Sequence, residues 1–353
     1  MQNKNFFTDI TIENFKSLRK VELKDCKRIN VLIGKPNVGK SNILEALSFF
    51  SLPHNLSNVS SYFNNALEFY IRCERNPLLF FDADIQFSIK IQTNILDCTV
   101  TLDSLEDLVI EYQGEMYNGI IKSQLSESST GKRLKASNSP FFKAVKRYIF
   151  KSELQDSATK MPTKGLQRKD KHLFLTPPYG TNLLQSLFRH PSLVEDFAGV
   201  FKEYGLGLFL DQATYTMRIV KPLKKGNNTL LNGMTLPYSA MADTLQRIIF
   251  YKTAIVSNKD SILLFEEPEA HAFAPYIVDI TQEMIQSTSN QFFITTHSPF
   301  VLNDLLENGR DELAVFLMDW QDGASIIKRL TDDEIYKIYQ YGVDIFTNLE
   351  TFI

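Results

Sequence analysis

Residues 262–299 read ILLFEEPEAHAFAPYIVDITQEMIQSTSNQFFITTHSP, and this stretch predicts two apolar strands that each end in polar side chains. The first strand runs directly into two carboxylates, Glu266 and Glu267. The second, Phe292–Ile294, runs into the triplet Thr-Thr-His, which ends at His297. Because α/β sheets bind ligands at the carboxyl ends of parallel strands, we expect these polar groups to lie at one sheet edge. Two acids and a histidine at that edge suit the hydrolysis of a metal-bound nucleotide.

A phosphate-binding loop is predicted near the N-terminus, where residues 34–41 read GKPNVGKS and fit the pattern G-x-x-x-x-G-K-[ST]. The apolar run Ile29–Ile33 precedes the loop and a helical run follows it, as this motif requires. The flanking elements disfavour the alternative, an ordinary turn that contains glycine and lysine. Lys40 is expected to bridge the β- and γ-phosphates of ATP, and the Ser41 hydroxyl to ligate Mg²⁺. The full predicted cradle consists of Gly34, Asn37, Val38, Gly39, Lys40, Ser41 and Asn42.

The composition limits the class of protein. The chain has 353 residues, enough for one large domain or two modest ones, and a net charge of −3. This charge argues against a protein dominated by DNA binding, although a local basic patch remains possible. Three cysteines, few, odd in number and far apart, indicate free thiols of a reducing compartment. No apolar run approaches the ~18 residues of a membrane span. We therefore predict a cytoplasmic protein without membrane contact.

The pattern of strands and helices divides the chain into three predicted parts. Residues 1–121 form the N-terminal part of an α/β head, with the phosphate loop and a β meander. Residues 122–210 form a helical insertion or lobe, whose basic clusters at 143–147 and 164–171 are interpreted as solvated helix faces rather than DNA contacts. Residues 211–353 complete the head, and their alternation of helix and strand implies a parallel sheet. The nucleotide site would thus combine both ends of the chain.

Several stretches together resemble the ABC-type ATPase heads of the SMC/RecF/OLD group, most closely the AAA-15/AAA-21 class of bacterial ATPases. They are ITIENFKSLRKVEL (10–23), INVLIGKPNVGKSNILEAL (29–47), PYGTNL (178–183), ILLFEEPEAH (262–271) and ITTHSP (294–299). The resemblance implies a P-loop NTPase head, in which a mixed sheet with an antiparallel β lobe is joined to a helical lobe.

The resemblance also implies roles for the polar residues after the two strands. Glu267 matches the general base that polarises the attacking water, and Glu266 matches the acid that holds Mg²⁺ through a water molecule. The family more often has aspartate at the position of Glu266. His297 matches the switch histidine that senses the γ-phosphate. Glu269 and His271 are expected to be structural or to lie near a dimer seam.

A signature loop that reaches the partner's γ-phosphate is the remaining element of such heads, and Leu236–Arg247 is the candidate in this chain. Ser239 keeps a hydroxyl that could act in trans. Ala242 and Thr244 stand where glycines would let the backbone approach phosphate. The alternative is an ordinary helix N-terminus. The glutamine of the family's Q-loop is not placed.

Four functions compete for such an ATPase. The resemblance favours a nucleotide-gated sensor or scaffold of anti-phage defence, a homodimer or higher oligomer that controls a separate effector such as a nuclease or toxin. A RecF-like DNA-repair ATPase is the alternative, although the net charge does not support it. An OLD-type nuclease would need a TOPRIM domain after His297, where residues 298–353 offer a poor acidic cluster. A transporter subunit is disfavoured by ENFKSL (13–18), EEPEAH (266–271) and the missing signature glycines.

Overall fold

The computed structural model describes most of the chain: residues 6–52, 67, 70–73, 75–103, 108–114, 117–122, 144–154, 174–211, 216–225 and 228–353. The chain forms two compact units. The first unit comprises residues 1–147, 260–267 and 288–353, and the second comprises 148–259 and 268–287. The boundaries of these units differ from those of the three predicted parts. The division into three parts stays a prediction.

Strands dominate the first half of the described chain, and α-helices become frequent after residue 183. The strands are β1 (Ile10–Phe15), β2 (Leu18–Leu23), β3 (Ile29–Gly34), β4 (Ile89–Thr93), β5 (Asp97–Leu102), β6 (Leu108–Gly114), β7 (Tyr117–Lys122), β8 (Val145–Tyr148), β9 (Gly207–Asp211), β10 (Thr216–Lys225), β11 (Asn228–Pro237), β12 (Ile262–Glu266), β13 (Gln291–Thr295), β14 (Leu313–Gln321) and β15 (Ala324–Arg329). The α-helices are α1 (Lys40–Ser48), α2 (Leu183–Arg189), α3 (Pro191–Glu203), α4 (Asp243–Ser257), α5 (Ala274–Gln286), α6 (Pro299–Asn308) and α7 (Asp332–Tyr341).

A mixed six-stranded sheet positions the polar strand ends in the first unit. Its order is β15-β14-β3-β13-β12-β8, and the pairs β14–β3, β3–β13 and β13–β12 are parallel. Every residue of β3 and β13 is buried, as expected for apolar parallel strands that are covered on both faces. In the register, Glu266 lies opposite Thr295, and Thr295 lies opposite Leu32. The predicted parallel arrangement of these strands is confirmed, and their carboxyl ends share one edge.

An antiparallel sheet of order β2-β1-β4-β5-β6-β7 forms the β lobe of the same unit. Buried and exposed residues alternate along β4, because one face of the sheet packs on the core. That core is shared with the mixed sheet and is rich in aromatic side chains. Phe15 packs edge-to-face on Phe49 at 5.9 Å, and Phe7 packs on Phe293 of β13 at 6.2 Å. Helix α1 packs against both β1 and β12, which fixes the phosphate loop between the two sheets.

The basic cluster at 143–147 is not a solvated helix face, and this prediction is wrong for its described residues. Residues Val145–Tyr148 form β8, and all four are buried. Lys146 and Arg147 are only 3% and 2% exposed. The flanking Val145 and Tyr148 have β-forming, apolar side chains, which favour a sheet strand over a solvated helix. The second basic cluster, 164–171, lies outside the described residues.

The second unit combines helices with a three-stranded antiparallel sheet of order β11-β10-β9. Helices α4 and α5 pack on each other. The sequence pattern predicts a helix over residues 240–257, but helix α4 begins three residues later, at Asp243, because a short 3₁₀ helix, Tyr238–Ala240, precedes it. Across the described residues of both units, no helix combines the length and the apolar character that a membrane span needs.

Replacing Gly180 by alanine should destabilise the second unit. Gly180 has a φ of +66°, and a Cβ there would lie 2.8 Å from the Phe250 ring. Gly205 has nearly the same φ, +67°, but nothing lies within 4 Å of its Cβ position. Gly180→Ala should therefore cost about 1–3 kcal/mol more than Gly205→Ala, the extra cost of overpacking. Urea unfolding of both variants measures this difference, and equal midpoints would contradict the steric explanation.

Candidate active site

The loop between β3 and α1 has the backbone geometry of a phosphate cradle. Gly39 is the N-cap of α1 with a φ of +94°, and no side chain caps this helix. The first N–H groups of a helix have no intrahelical acceptor, and the helix dipole adds partial positive charge at this end. A Cβ on Gly39 would lie 2.4 Å from Ser325 Oγ and 2.5 Å from Ser17 Oγ, so only glycine fits. The uncapped donors suit the phosphates of a nucleotide.

The other predicted cradle residues take different positions. Gly34 is required by close packing, because a Cβ there would lie 2.3 Å from the carbonyl oxygen of Met318 on β14. Asn37 adopts a left-handed φ of 64°. The Val38 side chain is buried in the core, so only its backbone can face a ligand. The Asn42 side chain donates to Ser17 Oγ at 2.8 Å and so stabilises the loop.

Lys40 lies folded over the loop that precedes it. Its Nζ donates to the carbonyl oxygens of Gly34 and Lys35, both at 2.8 Å. The side chain is buried, and burial lowers the pKa of Lys40, although the carboxylates of Glu267 and Glu266 oppose this shift. An ammonium has three donors, so one remains for a phosphate oxygen. These two backbone contacts thus hold Lys40 at the centre of the site.

Glu266 is surrounded by donors at the end of β12. Its Oε2 accepts from Arg147 at 2.6 Å, and its Oε1 accepts from Arg72 at 3.0 Å. Ser41 also makes a side-chain hydrogen bond to Glu266. Burial alone would raise the pKa of Glu266, but Arg147, Ser41 and Arg72 together hold it below its ordinary value. Hydroxyl and carboxylate oxygens are the ligands that Mg²⁺ prefers, so Ser41 and Glu266 fit this metal.

Glu267 differs from its neighbour in both backbone and exposure. It has a left-handed φ of 42°, a strained conformation for a residue with a side chain. Its N–H donates to the carbonyl oxygen of Thr295 at 3.1 Å, which holds that conformation. The side chain is 42% exposed, and its Oε1 lies 3.4 Å from Nε2 of His297. Of the two adjacent glutamates, Glu267 is therefore the one whose carboxylate can contact a water molecule.

His297 completes this edge of the sheet. Burial and the positive charge of Lys40 lower the pKa of His297, although the Glu267 carboxylate opposes this shift. The imidazole is therefore largely neutral at neutral pH, and one of its nitrogens can accept while the other donates. The structure brings together Lys40, Ser41, Glu266, Glu267 and His297 in the first unit, as the two strand ends predict.

The signature candidate lies in the second unit. Ser239 belongs to the second unit and lies exposed on the short 3₁₀ helix before α4. The neighbouring Tyr238 is buried. His271, also in the second unit, accepts a hydrogen bond through its carbonyl oxygen from Thr244 Oγ1 at 2.8 Å. Glu269 is buried in the same unit. A role for Ser239 in the partner's site stays a prediction.

Sequence reasoning missed the charges around Glu266. Glu45 on α1 is fully buried and pairs with Lys16 and with Arg72 Nε, the latter at 2.7 Å. Arg72 thereby links Glu45 to Glu266. The signal for Arg147 is the β-forming sequence around it, which marks a buried strand. The signal for Glu45 is its place among apolar residues of the helix after the phosphate loop.

Comparison with known proteins gives the family. A model described as "AAA domain, putative AbiEii toxin, Type IV TA system" matches residues 29–303, which include the phosphate loop and both strand ends. The chain belongs to this family. It is therefore an AAA-domain P-loop ATPase family member, which confirms the resemblance seen in the sequence.

Two curated relatives match shorter segments. An ATP/GTP phosphatase of Helicobacter pylori is 30% identical over 118 residues, 33% of this chain and 30% of that protein. The DNA replication and repair protein RecF of Caldanaerobacter subterraneus subsp. tengcongensis is 30% identical over 92 residues, 25% of each chain. The chain thus matches less than a third of the length of these relatives.

Solved SMC head structures share the fold. An SMC head bound to the C-terminal winged-helix domain of ScpA has a TM-score of 0.54 at 14% identity, and covers 94% of this chain and 100% of that one. An SMC head with an extended coiled coil, bound to the C-terminal domain of ScpA from Pyrococcus furiosus, has a TM-score of 0.55 at 13% identity. It covers 95% of this chain and 99% of that one. The predicted ABC-type head fold is confirmed.

Glu45→Gln should destabilise the first unit without touching the phosphate loop. The change removes the buried anion between Lys16 and Arg72. We expect the free energy of unfolding to fall by about 2–3 kcal/mol. This is less than for the loss of one partner of a fully buried pair, because the Arg72 side chain reaches solvent. Glu350→Gln is the control, since the Lys35–Glu350 pair is exposed on both sides. Thermal unfolding measures both. An unchanged midpoint for Glu45→Gln would contradict the structural role of this ion pair.

Proposed function

We propose that this protein binds ATP with Mg²⁺ and hydrolyses it at the carboxyl edge of the mixed sheet. The observation that carries the proposal is the convergence of Lys40 and Ser41 with Glu266 and the Glu267–His297 pair. The Glu267 Oε1 and His297 Nε2 atoms lie only 3.4 Å apart. The family match and the named ATP/GTP phosphatase relative support the same chemistry.

Phosphate binding, metal binding and proton transfer are assigned to different residues of the site. The uncapped N-terminus of α1 and the Lys40 ammonium bind the phosphates and favour the charge that develops in transfer. Ser41 and Glu266 hold Mg²⁺, which neutralises the phosphate oxygens when bound. Glu267 accepts the proton of the attacking water at its exposed carboxylate. Neutral His297 donates a hydrogen bond toward the γ-phosphate or to Glu267, and so reports whether that phosphate is present.

The protein acts as a homodimer or a higher oligomer in this proposal. Ser239, exposed before α4, would approach the γ-phosphate bound by a second copy. The missing glycines at Ala242 and Thr244 make this approach less close than in a glycine-rich loop, so assembly should be weak or slow. Exposure of Ser239 and the fold shared with SMC heads support the model.

In the cell, the ATPase would be a cytoplasmic sensor or scaffold that regulates a separate effector, such as a nuclease or toxin, in anti-phage defence. The family description names a putative toxin system, and SMC heads are seen with a bound partner protein. Identification of a nuclease, toxin or reverse transcriptase gene beside this one would support the role, as would copurification of its product. Neighbouring genes for recombination alone would count against it.

A RecF-like role in DNA repair is the alternative, favoured by the segment shared with RecF. It predicts tight DNA binding whose affinity falls steeply as salt rises, because bound phosphates release counterions. The net charge of −3 argues for the first role. A filter-binding titration at two salt concentrations decides between them.

Glu267→Gln should abolish turnover and spare nucleotide binding. Loss of a general base lowers the rate about 10²–10⁴-fold, whereas the phosphate loop is untouched. Lys40→Ala should instead weaken ATP binding by about 10- to 100-fold, because it removes an ionic hydrogen bond. Phosphate release and equilibrium binding measure the two effects, with Glu307→Gln on the exposed face of α6 as control. Hydrolysis at the wild-type rate by Glu267→Gln would refute the assignment of the base.

The Glu267→Gln variant should also assemble when ATP is added, since the nucleotide is retained. Light scattering coupled to size exclusion should show a dimer or larger species with ATP and Mg²⁺, but not with EDTA. Adding Ser239→Ala should weaken that assembly several-fold. Absence of any ATP-dependent assembly would rule out a site completed in trans.

A further inference from the structure

Arg147 is a buried cation aimed at the proposed metal site. Its guanidinium is 2% exposed, and one terminal nitrogen donates to Glu266 Oε2 at 2.6 Å. The other terminal nitrogen donates to the carbonyl oxygen of Tyr70. Among the described residues, its Nε–H has no acceptor. A buried, unpaired donor destabilises a fold, so packing alone does not account for an arginine at this position in β8.

The adjacent lysine provides a contrast on the same strand. Lys146 is equally buried, but its Nζ donates to Ser261 Oγ at 2.8 Å, just before the start of β12. Glu266 stands at the opposite end of β12. Burial lowers the pKa of Lys146 to about 7, so this side chain carries only part of a charge at neutral pH. Lys146 and Arg147 therefore contact opposite ends of β12.

Glu266 is also held from the solvent side. Arg72 contacts Glu266 Oε1 at 3.0 Å, but its side chain is 65% exposed. Both guanidinium groups have a second acceptor, Tyr70 for Arg147 and Glu45 for Arg72, but only Arg147 is enclosed by the protein. A carboxylate offers about four lone-pair positions, and Arg147, Arg72 and Ser41 use three of them. Little of the carboxylate is left for a direct bond to a metal.

We propose that Arg147 is a positioning residue that fixes the Glu266 carboxylate beside Ser41, in the orientation that Mg²⁺ binding would need. The inference rests on the proposed function and adds the residue that sets the geometry of its metal site. Arg147 acts on the metal only through Glu266. Removal of such an outer partner typically weakens metal binding by about 10- to 100-fold.

The test uses the full chain and a fluorescent, non-hydrolysable ATP analogue. Its dissociation constant is measured in EDTA and over a series of Mg²⁺ concentrations, together with the melting temperature. Arg147→Met should raise the Mg²⁺ concentration for half-maximal binding about 10-fold or more, with binding in EDTA unchanged. Lys146→Met, the matched loss of a buried basic side chain on β8, should leave the Mg²⁺ requirement as in the wild type.

A second pair of variants separates positioning from packing. In a Glu266→Gln background, Arg147→Met should cause no further change in the Mg²⁺ requirement, because the two residues act in series. Arg147→Lys keeps a charge but cannot contact both Glu266 and Tyr70, and should give an intermediate requirement. Arg147→Lys replaces Arg147→Met in the test if the methionine variant does not fold.

Three results would overturn the proposal: an unchanged Mg²⁺ requirement in both Arg147 variants, a lower one, or an equal loss of binding in EDTA. A lower requirement would mean that the guanidinium competes with the metal. If the wild-type protein binds no nucleotide, the proposed function itself fails. If it binds with a clear Mg²⁺ dependence that the Arg147 variants do not alter, only the positioning role fails.

Discussion

The parallel pairing of β12, β13 and β3 is the constraint on which the site depends. Register places the end of β12 opposite Thr295, and Thr295 opposite Leu32 near the end of β3. A shift of one residue would turn Glu266 to the other face of the sheet, since side chains alternate along a strand. The phosphate loop and the acids therefore meet only because three apolar strands, distant in sequence, are aligned in one direction. The burial of every residue of these strands except Glu266 specifies that alignment.

Around this edge, two adjacent glutamates acquire different chemistry from their surroundings. Glu266 is fixed by two guanidinium groups and a hydroxyl, so its charge is already balanced within the protein. Glu267 is turned outward by a strained backbone, with a largely neutral histidine as its near neighbour. One acid is suited to hold a metal in place and the other to take up a proton. Two glutamates can differ in this way because only Glu266 is enclosed by other side chains, whereas Glu267 is exposed.

The sequence predicted the elements with strong local signals and missed those that depend on long-range contacts. The loop at 34–41 has fixed spacing, and the strands before Glu266 and Thr295 are continuous apolar runs, so their placement followed from pattern. Arg147 has only a weak signal, the β-forming residues around it, because two adjacent basic residues are usually solvated and only the sheet buries them. The Lys16–Glu45–Arg72 contacts join three distant segments. Helix α4 begins later than predicted because a 3₁₀ turn competes with the first helical turn.

Lys40 donates hydrogen bonds to two carbonyl oxygens of its own loop, those of Gly34 and Lys35. A free lysine side chain loses up to about 2 kcal/mol of rotamer entropy when it is ordered. In this loop that loss occurs once, during folding, and not at each encounter with a nucleotide. In the proposed function, the affinity for the phosphates is therefore not reduced by the entropy of ordering the Lys40 side chain.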